Sequence, residues 1–375
     1  MEADWNAAGS EDYNRRIFVP AKTRLTLNMH GRVFNRNNAW KGKDKYNGEL
    51  ILVDKGSTLI VNGGTEEERS SRSYPQVALY DTNDPSGDKA GARGTFKGGL
   101  LTGGCSCDGA GGIHARGGST VILNDVTIAG CGQTRYGKGG GIWMWDDDSR
   151  LVMNNSRVTG CYASSYGGGV YTNDNNITLS NLKIKYNTAN KDGGGIYINN
   201  KKDTISGCEI AGNRANRDGG GVYIPKSITE QNTVSGKTLV RSNSAKEQGN
   251  DFHIAGNSPG AARVNFKLTK GSEVHVSFSS ALFSDVNSVP VTEGKKNDTI
   301  KTPNCIQYLY PANPGFHFTY NPAPNMRKIF YVRDGHDSSD TGKAYEKPTD
   351  PEKVLAIRAN NASSVQDGGE LRPAS

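Results

Sequence analysis

The sequence predicts an all-β solenoid, a parallel β-helix, and three observations predict it. A Gly-Gly-Gly-Ile/Val/aromatic motif recurs from Gly139, Gly167, Gly193 and Gly219, at spacings of 28, 26 and 26 residues. An Asn-x-Ala signature at Asn187, Asn213 and Asn243 keeps fixed phase with it, six residues ahead of the next glycine run. Between the two lie short runs of period-two alternation.

Each element follows from its residues. The runs Thr120–Ile128, Ile177–Ile184 and Asp203–Ile210 alternate apolar and polar positions and are rich in β-branched residues, so they read as strands. Gly, Asn and Asp punctuate them, and these residue types tolerate the left-handed backbone of tight corners. Units of about 27 residues cannot bury an apolar face alone. Stacked as coils they can, each coil adding parallel hydrogen bonds to the next at ~4.8 Å. A propeller blade needs about 40–45 residues. Gly249-Asn-Asp-Phe-His-Ile is a decayed fifth copy and Gly111-Gly-Ile-His a shortened earlier one.

Equivalent residues then form columns. Ile142, Val170, Ile196 and Val222 face inward, as do Ile128, Val158, Ile184 and Ile210. Asn187, Asn213 and Asn243 form an amide ladder, because a buried amide left without partners costs roughly 1–3 kcal/mol. Cys161 holds the ladder position one coil earlier, and Cys131 the one before, after a two-residue insertion. Stacked cysteines fit either a cross-coil disulfide or a buried thiol pair. Cys208 stands in the Leu182 column and reads as a core thiol.

Composition excludes other classes. Glycine supplies 48 of 375 residues, well above the usual ~7%. It does not fall at every third position, so collagen is excluded. Only 34% of the chain is hydrophobic, and no apolar stretch approaches the ~20 residues of a membrane span. The net charge of +7 is spread without a dense Lys/Arg block, which argues against a nucleic-acid partner. The start, Met1-Glu-Ala-Asp-Trp, does not read as a signal peptide.

The Gly-Gly-Gly-Ile/Val-Tyr motif paired with Asn-x-Ala resembles the right-handed parallel β-helix repeats of bacterial surface proteins. It is similar to the repeats of chlamydial polymorphic outer-membrane proteins and of large surface proteins of gut Gram-positive bacteria. The resemblance covers about residues 110–254 and implies the pectin lyase-like superfamily fold, a right-handed solenoid with capped ends. Leu25–Gly31 and Ser57–Gly63 look like opening coils, and Leu268–Val276 and Ile329–Gly335 like closing coils. The expected organisation is a lead-in over 1–16, the β-helix over 17–335 and a linker or tail over 336–375. The stretches 64–75 and 81–104 read as polar excursions.

Two sets of residues are candidates for function. The residue after each inward Ile/Val points outward: His114, Trp143, Tyr171, Tyr197, Tyr223 and His253, with Trp145 two residues beyond on the same side. Trp143, Trp145, Tyr171, Tyr197 and Tyr223 are the candidate ligand-binding strip, since exposed rings suit sugars or a partner's hot spots. The alternative is that the rings only stabilise the face or lie beneath a loop. The second set is Asp146, Asp147 and Asp148 with Asp174, which falls one coil after Asp146. Carboxylates about 5 Å apart fit a retaining glycosidase. Clustered oxygens also fit Ca²⁺ at Asp146 and Asp174, as in calcium-dependent polysaccharide lyases. The alternative there is a solvated turn. The Gly-His-Gly and Arg-Ile-Lys signatures of polygalacturonases are missing. The resemblance therefore implies an extracellular, cell-surface or secreted, adhesin-like module. Such a module would be monomeric within a larger protein and bind a host glycan, mucin or a host protein such as immunoglobulin. No resident cofactor is expected. A lyase or glycosidase, or a passive stalk, is the rival.

Overall fold

The structure, a computed structural model, describes residues 2–6, 16–36, 48–81, 83, 93–135, 137–146, 148–173, 176–199, 203–225, 232–247 and 249–255, and beyond 263 the strands alone. Each coil contributes a strand to three long sheets, and six coils add a short strand to a fourth. In one repeat these are Val170–Asn173, Asn176–Ser180, Lys183–Lys185 and Thr188–Ala189. Each pairs in parallel with its equivalent in the next coil: Val170 with Ile196, Thr178 with Thr204, Lys183 with Glu209, Ala189 with Ala215. The first and third sheets each have nine strands.

The core is a rod of stacked apolar residues. Ile113, Ile142, Val170, Ile196, Val222 and Phe252 are wholly buried in it, as are Ile128, Val158, Ile184, Ile210 and Val240. The run read as Thr120–Ile128 breaks into Thr120–Asn124 and Thr127–Ala129. Asp125 turns the corner with φ of 58°, and Asn155, Asn181 and Gly207 repeat that conformation in the following coils. Asn and Asp tolerate it better than other side chains, which is why they stand there.

The triple glycine has two separate causes. Its first member is left-handed, with φ of 65° at Gly167 and 70° at Gly193. Its second lies against the next coil: a Cβ on Gly194 would sit 2.3 Å from Arg214 C and 2.4 Å from Gly220 O.

The asparagine ladder is present and buried. Cys161 N–H donates to Asn187 Oδ1 (3.0 Å), Asn187 N–H to Asn213 Oδ1 (3.0 Å) and Asn213 N–H to Asn243 Oδ1 (2.9 Å). Each Nδ2 also donates to a carbonyl of the preceding coil, Val158, Ile184 or Ile210. The series closes on Asp251, whose Oδ1 accepts from both N–H and Nδ2 of Asn243 at 2.8 Å. Cys131 and Cys161 continue the column as buried free thiols, and Cys208 is free and buried too. Burial pushes the Cys131 thiol well up and the Cys208 thiol up to about 11.

Several boundaries differ from expectation. Trp5–Asn6, inside the lead-in, pairs with Phe34–Asn35 and adds a rung to the third sheet. The excursion at 64–75 holds a short helix, Glu66–Ser70, closed by a capping box between Thr65 and Glu68. Within 81–104, Gly94–Lys97 pairs antiparallel with Ser73–Val77, and Leu100–Thr102 is already a coil strand. The buried Leu100 and Leu101 were masked in the sequence by their glycine-rich flanks. Residues 77–80 strap the turns: Tyr80 N–H donates to Gly160 O (2.9 Å) and its ring stacks on Tyr162 at 5.4 Å. Lys328–Arg333, expected in a closing coil, is instead antiparallel to Leu355–Asn360, which lies in the stretch read as linker. The end caps expected at the two ends fall largely outside the described residues.

Candidate functional site

The outward residues of the first sheet form one continuous column: Leu52, His114, Trp143, Tyr171, Tyr197, Tyr223 and His253 pair in register. From His114 to His253 the rings stand 5.0–6.4 Å apart; most of the pairs are stacked, while Trp143 meets Tyr171 edge-on. Such pairs are worth about 0.5–1.5 kcal/mol beyond their burial.

The column is not the open strip that alternation implies. His114 is 3% exposed, Trp143 8%, Tyr171 3% and Tyr223 9%. Coil spacing brings the rings close enough to shield one another. Tyr166 leans in at 4.9 Å from Tyr197, and Lys138 Nζ lies 4.6 Å over the Tyr171 ring and 3.0 Å from its hydroxyl. Arg217 forms a two-pronged pair with the buried Asp192, through Nε at 2.6 Å and through Nη2, and its guanidinium flanks the Tyr166 ring at 6.0 Å. Burial raises the phenol pKa of Tyr197 and Tyr223 and, with the Arg116 and Arg16 charges, lowers His114 to about 3. Trp143, Tyr171 and Tyr223 therefore serve as a spine.

Trp145 differs. It is 40% exposed, and its ring lies 5.3 Å from Trp143 and 5.5 Å from His114, near parallel to both. It belongs to a second outward row, three residues past each inward Ile/Val: Asp54, Arg116, Trp145, Asn173 and Asn199. The register is continuous, since Trp145 N–H donates to Ala115 O, Arg116 N–H to Val53 O, and Asn173 pairs with Asn199. Arg116 and Asp54 form an ion pair at 3.4 Å with side chains 40% and 25% exposed. Asn199 Nδ2 donates to Asn173 Oδ1. The row thus sets one ring, one ion pair and two amides along the rod at coil spacing. Counting three residues from Ile51, Ile113, Ile142, Val170 and Ile196 would have found it.

Of the four candidate carboxylates the structure describes Asp146 and Asp148. Asp146 and Asp148 have φ of 69° and 62°, so both serve a tight turn beyond Trp145. Asp147 and Asp174 lie outside the described residues. Among the described residues no three His, Cys, Asp or Glu converge on a metal position.

Residues 89–239 match the family of the right handed beta helix region. The chain carries a right-handed parallel β-helix. The match takes in the strand Gly94–Lys97 and the coils from Leu100 as far as Leu239. No curated protein and no solved structure matches the chain. Among the described residues no helix is long and apolar enough to cross a membrane.

Proposed function

We propose that this β-helix is a non-catalytic carbohydrate-binding module of a bacterial cell-surface or secreted protein, adhesin-like in role. It engages a glycan along Asp54, Arg116, Trp145, Asn173 and Asn199. The observation that carries this reading is Trp145, a large ring presented to solvent within a row of hydrogen-bonding side chains. Sugars combine apolar ring faces with hydroxyls, and a ring flanked by amides and a paired guanidinium matches both. The row stands at the ends of paired strands, so its backbone is set before ligand arrives and the ordering cost that opposes binding is reduced. Host mucin glycans are the natural class for such a surface.

A glycan array probed with the intact chain tests this. Binding should appear, and Arg116→Ala with Asn173→Ala should weaken it at least tenfold while the melting temperature holds. Equal binding by the double variant would remove the row from the function. Release of unsaturated or reducing sugars from a polysaccharide would replace binding by catalysis.

A further inference from the structure

Beneath Trp145 lie two polar atoms without partners. His114 Nε2 and Trp143 Nε1 are buried and make no hydrogen bond. An indole N–H is only a donor, and a neutral imidazole Nε2 donates or accepts according to tautomer. Leaving each unpaired costs roughly 1–3 kcal/mol, and such groups in folded proteins call for an explanation. The Cys105–Ala110 turn does not supply one. A Cβ at Gly109 would sit 2.6 Å from His114 Nδ1, so that turn covers the other edge of the imidazole and Nε2 faces away from it. The ring that spans both His114 and Trp143 is Trp145, the one exposed member of the three. Its backbone is tied by the bond to Ala115 O, but it stands just past the strand Ile142–Met144, the left-handed Asp146 follows it, and its side chain stacks on Trp143 and His114.

We infer that Trp145 is a side-chain cover over a subsite for a neutral sugar residue. On opening, the sugar's apolar face stacks on Trp143 and its hydroxyls pair with Trp143 Nε1 and His114 Nε2. This deepens the glycan-binding reading and rests on it. A hydroxyl both donates and accepts, so it satisfies an N–H donor and either imidazole tautomer. A carboxylate can only accept. The cations nearby are already ion-paired, Arg116 with Asp54 and Arg16 with Glu49 at 2.7 Å, and their effect at His114 is to help keep the imidazole neutral. The imidazole is uncharged in the physiological range. Nothing there selects a uronate or sialate over a neutral hexose.

The test titrates the intact chain with neutral methyl glycosides (gluco, galacto, manno and N-acetylglucosamine) and with methyl glucuronide and methyl sialoside. It follows the Trp143 indole N–H by nitrogen-edited NMR, assigned through Trp143→Phe. A neutral glycoside should shift that N–H, and Trp145→Ala should retain both the binding and the shift, because the buried subsite is formed by Trp143 and His114. Adding Trp143→Phe, which keeps a ring but removes the donor, should then cost at least tenfold at unchanged circular dichroism. Acidic glycosides should bind no more tightly than neutral ones, and tighter binding by an acidic glycoside would overturn the neutral-sugar assignment. If Trp145→Ala abolishes binding while Trp143→Phe is neutral, Trp145 is a fixed platform: the cover is refuted and the glycan-binding row stands. An indole N–H that stays put at saturation, its partner then being a trapped water, refutes the subsite in the same way. Failure of the wild-type chain on the array as well removes the parent reading.

Discussion

One oxygen, Oδ1 of Asn213, accepts two hydrogen bonds from Asn187, from the backbone N–H at 3.0 Å and from Nδ2 at 2.9 Å. Asn213 in turn donates through Nδ2 to Ile184 O at 2.8 Å. Replacing it with Leu removes the partner of the Asn187 N–H and one bond each from Asn187 Nδ2, Ile184 O and Asn243 Oδ1. At about 1–3 kcal/mol for the N–H alone, Asn213→Leu should lose several kcal/mol of stability. Chemical denaturation measures the loss. Amide exchange should show it first at Asn187 and its coil, since a solenoid transmits mainly to nearest neighbours. A variant as stable as the parent would mean the ladder is dispensable.

Cys161 occupies a ladder position yet cannot act as Asn does. The site around it matches the asparagine sites: a Cβ at Gly141 would lie 3.4 Å from Cys161 Sγ, as one at Gly169 lies 3.1 Å from Asn187 Nδ2. Cys161→Asn should therefore extend the ladder to the Cys131 N–H and raise the melting temperature, by the equivalent of about 1 kcal/mol. Cys161→Leu should lower it. A fall with Asn would show that the Cys131 neighbourhood lacks the room.

Gly194→Ala places a methyl against the carbonyl groups of Arg214 and Gly220. These belong to a neighbouring coil and cannot move independently. A loss of roughly 1–3 kcal/mol or more is expected, the usual cost of overpacking. Thermal melts decide it, and an unchanged midpoint would contradict the packing described.

Two buried imidazoles make the fold acid-sensitive. Burial lowers His253 to about 4; burial, then Arg116 and Arg16, lower His114 to about 3. Both are neutral when folded, and both would take up a proton near pH 6.5 when unfolded. The unfolded chain thus binds more protons below that pH. Stability is whole above 6.5 and falls as pH drops toward 4, by up to roughly 1.4 kcal/mol per unit for each group. Melting temperatures between pH 8 and 4.5 should follow this slope, and His253→Phe should flatten it. A flat parent profile would show that the imidazoles do not contribute.

The rod was legible because its constraints are local and repeated. The left-handed Gly193, the close approach at Gly194 and the ladder at Asn187 and Asn213 each demand one residue type in every coil. The excursion at 64–97 was not legible, because it occurs once and no periodicity betrays Leu79 and Phe96 packing beside Ala129. At the candidate site, alternation gave the outward direction of Trp143 and Tyr171 correctly. It could not give their burial, which depends on Tyr166 and Lys138 from neighbouring turns. The Arg116–Trp145–Asn173 row escaped notice because its residue types differ from coil to coil.

The ladder also has a sense. Asn187 gives hydrogens to Asn213, Asn213 to Asn243 and Asn243 to Asp251, whose carboxylate gives none onward. Asp251 thus acts as a terminator written in chemistry. Whole 26-residue units can be duplicated or excised upstream of it, lengthening or shortening the rod in steps of about 4.8 Å, while the final junction stays unchanged.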